Sequence, residues 1–142
     1  MIKAFVDSSV LYASIISSSG ASREILKRNN KGEIQLVITK YVVDETRDNL
    51  TAKNPDKAAA LELLIDLVSF EFVDVSRKSV QDAVAYTEIK DAPVVAAAIA
   101  ANCEYLLTFD KQHLLGNQRV AEKSGLTIAT PGDLMQRLRT IK

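Results

Sequence analysis

The sequence predicts an α/β domain in which a parallel sheet of about five strands is flanked by helices. Short apolar segments alternate with segments of helical periodicity along the chain, which is typical of a parallel sheet covered on both faces. Of the 142 residues, 47% are hydrophobic and 25% are charged, as in ordinary globular domains. No internal repeat or low-complexity linker divides the chain. We therefore expect one domain that covers residues 1–142.

The strands are predicted from five short runs rich in apolar, aromatic or β-branched residues. In chain order, these runs cover residues 2–6, 34–38, 70–75, 105–108 and 126–129.

Local signals predict where the helices of the first half begin and end. The first helix directly follows the first strand and stops at the Ser-Ser-Ser-Gly of 17–20. Ser22 can cap the next helix, and Gly32 lies just past its end. Thr39 can cap the helix after the second strand, which the Asn-Pro pair at 54–55 ends.

The second half of the chain contains further helical segments. Residues 56–68 carry apolar side chains at helical spacing, and a second segment runs from 76 or 78 to about 87. Asp91-Ala-Pro is a favourable helix start, because Asp can cap and Pro is tolerated in the first turn. The helix that follows is rich in alanine, which suits close packing against a sheet. Thr130-Pro-Gly-Asp opens a C-terminal helix.

Charge and cysteine content exclude several classes of protein. The 18 basic and 18 acidic residues balance, which argues against a uniformly basic nucleic-acid binder but leaves a focused site possible. Cys103 is the only cysteine, so neither an intramolecular disulfide nor a thiolate metal cluster can form. No signal peptide is visible, and the longest apolar run, 94–101, is far shorter than the roughly 20 residues that cross a bilayer. We expect a cytoplasmic protein with no membrane association.

Four acidic residues from separate segments are expected at one edge of the sheet. Asp7 follows the first strand, and Asp110 follows the fourth. Glu45 lies in the helix after the second strand, and Asp91 opens the alanine-rich helix. Ligands of open α/β sheets bind at the carboxyl ends of the strands, so these acids can converge there.

Each of these acids also has a purely structural explanation. Asp7 and Asp91 could be helix N-caps, Glu45 could be a solvated helix residue, and Asp110 could start a turn with Lys111. The joint pattern of four acids at the functional edge favours a site over these separate explanations.

If the acids converge, their repulsion predicts a cation or bound protons. Two carboxylates about 4 Å apart cost about 4 kcal/mol at an effective dielectric constant of about 20. Several such pairs would oppose a total stability of only about 5–15 kcal/mol. An all-oxygen site without His or Cys prefers Mg²⁺ or Mn²⁺ to Zn²⁺. Such a metal can contact phosphate oxygens and activate water.

Five motifs, spread over nearly the whole chain, match one known family in order and spacing. They are Phe5-Val-Asp-Ser-Ser-Val-Leu, Val42-Val-Asp-Glu, Lys90-Asp-Ala-Pro, Tyr105-Leu-Leu-Thr-Phe-Asp-Lys and Gly125-Leu-Thr-Ile-Ala-Thr-Pro. With these motifs the sequence resembles the PIN domain family, a nuclease fold that includes the VapC-type toxins of toxin–antitoxin pairs.

The resemblance implies a metal-dependent endoribonuclease that hydrolyses RNA phosphodiester bonds with Mg²⁺ or Mn²⁺. By position, Asp7, Glu45, Asp91 and Asp110 would be the catalytic, metal-binding acids, and Thr108 would supply a hydroxyl beside them. The resemblance also implies a five-stranded parallel sheet, a homodimer and a small antitoxin as partner.

The sequence departs from the family pattern at two places. Ser8-Ser9 stands where the family often has Thr-Asn, so a hydroxyl is kept and an amide is lost. His113 stands where many VapC-type members have a further Asp, which places this chain closer to the Thr-x-Asp-Lys branch. The number of metals bound is left open by these departures.

Two other functions compete with the ribonuclease. The chain could be a non-catalytic PIN-like binding or assembly module. It could also be a phosphatase or phosphotransferase that forms an aspartyl phosphate on Asp7, although Ser9 occupies the place where that chemistry usually has a second acid. We expect His113 to be a polar surface residue rather than a general base, and Tyr12 and Tyr41 to pack in the core rather than stack on a base.

Overall fold

The computed structural model describes residues 1–141 and contains the predicted parallel sheet. Its strands are β1 (Ile2–Val6), β2 (Ile34–Ile38), β3 (Glu71–Phe72), β4 (Tyr105–Leu107) and β5 (Thr127–Ala129). They pair in the order β3-β2-β1-β4-β5, and every pairing is parallel. The predicted α/β class with a five-stranded parallel sheet is confirmed.

Eight α-helices flank the sheet within residues 1–141. They are α1 (Ser8–Ile16), α2 (Ala21–Asn30), α3 (Lys40–Lys53), α4 (Ala58–Leu67), α5 (Arg77–Val84), α6 (Ala92–Ala100), α7 (Gln118–Ser124) and α8 (Pro131–Thr140). Two short 3₁₀ turns, Pro55–Lys57 and Ile89–Asp91, directly precede α4 and α6. Among the described residues, no helix has both the length and the apolar composition that crossing a membrane requires.

The strand order places a topological switch point at the centre of the sheet. From β1, strands are added outward through β2 to β3 on one side, and then through β4 to β5 on the other. Ligands of such sheets bind outside the carboxyl ends of the strands at this switch point. It lies here between β1 and β4, whose last residues, Val6 and Leu107, are paired. Asp7 and Thr108, the next residues in the chain, therefore emerge side by side.

The central strands are buried on both faces. Ala4, Phe5 and Val6 follow one another in β1, and none of them is exposed to solvent. Successive side chains of a strand point to opposite faces, so both faces of the sheet are covered. The small, fully buried side chains of Ala97 and Ala98 allow α6 to approach its neighbours closely.

Within the described residues, five helix starts have a capping side chain, which is supplied by Asp7, Thr39, Ser76, Asn117 and Thr130. Thr39 Oγ1 accepts a hydrogen bond from the Val42 N–H at the start of α3. Ser76 caps α5, and Thr130 forms a reciprocal capping box with Asp133 in α8. These caps satisfy amide groups that the first helical turn leaves without partners.

Two local predictions are wrong. Helix α2 begins at Ala21 with Gly20 in the cap position at φ +97°, and Ser22 is buried within the first turn, where it cannot cap. The third strand covers only Glu71–Phe72 instead of 70–75, because its one partner strand, β2, ends at Ile38, which pairs with Phe72. The Val73 N–H still donates to the Ile38 carbonyl at 3.1 Å, after which the chain leaves the sheet.

Candidate active site

Asp7 is the best anchored of the four acids. It directly follows β1, and its backbone N–H donates to the Leu107 carbonyl at 3.0 Å, which fixes it against β4. Its side chain is 8% exposed, and both carboxylate oxygens are engaged. The Thr108 hydroxyl donates to Oδ2 at 2.7 Å, and the Ser8 N–H donates to Oδ1 at 2.8 Å. Asp7 is therefore the N-cap of α1 and also one of the acids at the carboxyl ends of the strands. We call the set of Asp7, Glu45, Asp91 and Asp110 the acidic edge.

The surroundings of Asp7 oppose its negative charge. Burial is the largest cause and raises the pKa of Asp7, while the hydrogen bonds from Thr108 and Ser8 lower it. The charge of Glu45 raises the pKa further, and the hydrogen bond from Ser9 lowers it. A carboxylate in this situation is stabilised by a nearby cation.

Glu45 is held at the same edge by Ser8. It lies in α3, whose start is fixed by the Thr39 cap, and its Oε1 accepts a hydrogen bond of 2.6 Å from the Ser8 hydroxyl. Ser8 thus links the two acids, because its N–H donates to Asp7 and its hydroxyl donates to Glu45. The hydroxyl that this chain keeps at position 8 has a specific acceptor.

Asp91 lies in the 3₁₀ turn before α6 and is not used as a helix cap. It occupies the cap position of α6, yet its side chain makes no capping hydrogen bond. Among the described residues, its Oδ2 is buried without any hydrogen-bond partner. Burial, and then the charges of Asp110 and Asp7, raise the pKa of Asp91 to about 6, with Lys90 and His113 opposing the rise. A capping role therefore does not explain the presence of an acid at position 91.

Asp110 combines a turn with a place in the acidic edge. Its Oδ1 accepts the N–H groups of Gln112 at 2.9 Å and His113 at 3.0 Å, as expected for a residue that starts a turn. Its own N–H donates to Thr108 Oγ1 at 3.0 Å, so Thr108 connects Asp110 to Asp7. The charge of Asp110 is the largest electrostatic cause of the raised pKa of Asp91.

The four acids share one edge but do not form a preformed metal-binding cluster. Within residues 1–141, no group of three or more His, Cys, Asp or Glu side chains is close enough to hold one metal ion. The donor set still fits a hard cation, because all of its side-chain donors are oxygens and Asp91 Oδ2 has no partner among the described residues. The residues present therefore fit Mg²⁺ or Mn²⁺ by chemistry.

Tyr41 was expected in the core, and that prediction is wrong. Its side chain is 40% exposed, and its hydroxyl donates to the Lys90 carbonyl at 3.1 Å. Burial, and then the charges of Glu45, Asp91 and Asp7, raise the pKa of Tyr41, which places it beside three of the acids. Its position four residues before Glu45, on the same helix face, is the signal that could have identified it.

Ser9 has a role that the comparison with the Thr-Asn pattern does not suggest. Its hydroxyl lies 3.3 Å from Asp7 Oδ2, to which it donates, and 3.4 Å from the Thr108 hydroxyl. It also accepts the Phe109 N–H at 3.0 Å. Ser9 therefore joins α1 to the loop after β4, next to Asp7. The His113 Nδ1 lies 3.7 Å from Glu88 Oε1.

Comparison with solved structures identifies the same fold in several proteins. PAE2754 from Pyrobaculum aerophilum is 21% identical and has a TM-score of 0.67, over 98% of this chain and 90% of that one. VapC20 of Mycobacterium tuberculosis, a toxin that cleaves the sarcin–ricin loop, is 18% identical with a TM-score of 0.57, over 77% of this chain and 91% of that one. At these identities the likeness shows a shared fold.

A third similar structure is VapBC2 of Rickettsia felis, solved with a DNA fragment from its promoter. It is 16% identical with a TM-score of 0.62, over 89% of this chain and 97% of that one. No protein of curated function matches the sequence significantly. A family model described as the PIN domain matches residues 3–112, which is more than half of the chain and includes all four acids of the edge. The chain therefore belongs to the PIN domain family.

Proposed function

We propose that this chain is a single-domain, divalent-metal-dependent endoribonuclease that hydrolyses RNA phosphodiester bonds at the acidic edge. The observation that carries the proposal is the buried Oδ2 of Asp91, which has no partner among residues 1–141 and lies in the field of Asp7 and Asp110. A buried polar atom without a partner costs stability and calls for a functional explanation. A bound cation supplies one.

Asp7, Glu45, Asp91 and Asp110 would hold Mg²⁺ or Mn²⁺ in this proposal. When bound, the metal neutralises charge on the phosphate and provides an activated water for hydrolysis. The chain itself contributes carboxylate oxygens as ligands, and no His or Cys that would favour Zn²⁺ is among the proposed ligands.

Two hydroxyl groups position the proposed ligands. Thr108 donates to Asp7 Oδ2 and accepts the N–H of Asp110, so it fixes the first acid relative to the fourth. Ser8 donates to Glu45 Oε1 and fixes the second acid relative to α1. Carboxylates held in this way need little reorganisation when substrate arrives, which is the condition for electrostatic stabilisation of a transition state.

We further propose that the chain is the toxin of a toxin–antitoxin pair in the cytoplasm, with a small antitoxin as partner and a homodimer as its working form. The support is the fold shared with VapC20, a toxin, and with VapBC2.

The proposed activity is tested by RNA cleavage with Mg²⁺ or Mn²⁺, with EDTA as the metal-free control. We expect EDTA to abolish cleavage and Asp7→Asn and Asp91→Asn to reduce it by about 100-fold or more, as the loss of a transition-state contact does. Asp82→Asn is the matched control, because Asp82 is exposed on α5 and pairs with Lys78. Undiminished cleavage by both site variants would contradict the proposal and indicate a contaminant or another site.

A non-catalytic binding module remains the second candidate, because no preformed metal-binding group exists in the described part of the chain. It predicts RNA or protein binding that neither EDTA nor Asp7→Asn affects, together with an absence of cleavage by the wild type. The same assay, run beside a binding measurement, separates the two functions.

A further inference from the structure

We propose that a pocket beside the acidic edge binds one unpaired nucleobase next to the phosphate that is cleaved. This inference rests on the proposed ribonuclease function and names what would give it sequence preference. The pocket is a cavity of about 270 Å³ lined by Ser8, Ser9, Tyr12, Asn49, Lys53 and Phe109.

The pocket shares a wall with the acidic edge. Ser8 and Ser9 line the pocket, and their hydroxyls donate to Glu45 at 2.6 Å and to Asp7 at 3.3 Å. A phosphate located at the acids therefore has its neighbouring base within reach of the pocket. Single-stranded RNA is recognised chiefly through bases that are splayed out in this manner.

Two aromatic rings line the cavity. Phe109 is 42% exposed, so its ring is accessible to a ligand, and its backbone is fixed because its N–H donates to Ser9 Oγ at 3.0 Å. Tyr12 is half-buried, and its hydroxyl accepts a hydrogen bond from the Asn54 amide. Bases stack on aromatic side chains irrespective of their identity, so these rings provide affinity.

The polar side of the pocket follows one face of α3. Glu45, Asn49 and Lys53 are spaced four residues apart, so they lie on one helix face about 6 Å apart along the axis. The order along this face is the Glu45 carboxylate at the acidic edge, followed by the Asn49 amide and the Lys53 ammonium group, which both line the pocket. That order suits a phosphate at the metal site, a base at the amide and the next phosphate at Lys53.

Asn49 and Lys53 make no side-chain hydrogen bond or ion pair within the described residues. Within residues 1–141, the side-chain hydrogen bonds and ion pairs of α3 all come from positions 40–47. An Asn amide offers both a donor and an acceptor to the edge of a base. The cavity is slightly smaller than the roughly 300–1,000 Å³ of typical ligand pockets, which suits a single base.

The test measures RNA binding by the Asp7→Asn chain, which should not cleave its ligand. The probes are short single-stranded oligoribonucleotides of each base and a matched abasic oligomer. We expect Phe109→Ala and Asn49→Ala to weaken binding of at least one base-bearing oligomer roughly tenfold or more and to leave the abasic oligomer unaffected. Lys53→Ala should weaken all oligomers alike and reduce the salt dependence of binding.

Phe72→Ala and Gln81→Ala are the matched controls, since both side chains are exposed on other elements, and they should bind every oligomer as the parent does. Equal binding of base-bearing and abasic oligomers by the parent and all variants would overturn the proposal and leave the pocket to a side chain of a protein partner.

Cleavage by the otherwise wild-type chain is measured in parallel. Phe109→Ala should change which base lies next to the cleaved bond and lower the rate of cleavage at the preferred base. Base-dependent binding without any cleavage by the wild type would overturn the proposed function and leave the base pocket standing.

Discussion

Asp91 is the residue at which stability and the proposed function are opposed. Its carboxylate is partly buried before α6, its Oδ2 has no partner among residues 1–141, and Asp110 and Asp7 act on it with like charge. A neutral side chain of the same shape would relieve the two costs that depend on charge, which are burial of the carboxylate and its repulsion by Asp110 and Asp7. Proteins accept such local destabilisation chiefly at functional sites, where the strained group is needed for binding or catalysis.

This opposition predicts that Asp91→Asn stabilises the metal-free chain in a pH-dependent manner. The pKa of Asp91 is about 6 in the folded chain and 3.8 ordinarily, so the folded state binds more protons between these values. The contribution of Asp91 to stability is present below pH 3.8 and is lost as pH rises through about 6. In urea denaturation with EDTA, the free energy of unfolding of Asp91→Asn should exceed that of the wild type at neutral pH. This difference in free energy should shrink towards pH 4.

Asp82→Asn serves as the control, because Asp82 is an exposed partner of Lys78. A gain in stability from Asp91→Asn that is the same at every pH would show that the carboxylate is not the cause.

At the residue scale, the sequence predicts a position most directly where a strand fixes it. Asp7 and Thr108 follow the paired ends of β1 and β4, so the sheet alone brings them together. Tyr41 and Ser9 were missed as site residues. The surroundings of Tyr41 depend on how α3 meets the turn before α6, and those of Ser9 on how the loop after β4 meets α1. That packing depends on contacts between segments far apart in the sequence, which hydrophobic periodicity does not report.

At the scale of elements, α6 shows how helix packing positions the site. The helix carries Asp91 at its start, and its Ala97 and Ala98 side chains are fully buried. Small side chains allow the helix to approach closely, and this approach determines where Asp91 lies relative to β1 and β4. The alanine-rich composition therefore concerns the site as well as the core.

We predict that Ala98→Leu destabilises the chain by about 1–3 kcal/mol, because added methylenes in a packed core force backbone shifts. Ala100→Leu is the matched control, since Ala100 is exposed near the end of the same helix and should change stability little. The free energy of unfolding is measured by urea denaturation, and equal effects of the two substitutions would contradict close packing at position 98. The Ala98→Leu variant should also cleave RNA more slowly, because the added methylenes would shift α6 and with it Asp91.

Elements were predictable where local chemistry decides them. The helix starts at Thr39 and Thr130 follow from signals within one helical turn, whereas the same kind of signal at Ser22 was wrong because α2 begins at Ala21. The short β3 was not predictable, because its apolar and β-branched residues resemble those of a longer strand. Its length depends on pairing with β2 alone at the edge of the sheet.

At the scale of the whole molecule, the zero net charge conceals an uneven distribution. Acidic residues from the end of β1, from α3, from the turn before α6 and from the loop after β4 meet at one edge, although basic and acidic residues balance over the sequence. Folding therefore concentrates negative charge that is dispersed in the unfolded chain. A ligand that binds this concentration only in the folded state must stabilise the fold.

A divalent cation should consequently raise the melting temperature of the wild type. At a free metal concentration about 100 times the dissociation constant, the gain is about 2.7 kcal/mol, which corresponds to several degrees for a chain of this size. Mn²⁺ and Mg²⁺ should each raise the melting temperature of the wild type and of Asp82→Asn. The melting temperatures of Asp7→Asn and Asp91→Asn should change little when either metal is added.

This measurement needs no RNA, so it tests the metal site independently of catalysis. An absence of any shift in the wild type would count against a metal at the acidic edge and favour the non-catalytic module. An equal shift in Asp7→Asn would place the cation elsewhere on the molecule. A shift confined to chains with both Asp7 and Asp91 would establish that the two segments, which meet only through folding, bind one class of ligand together.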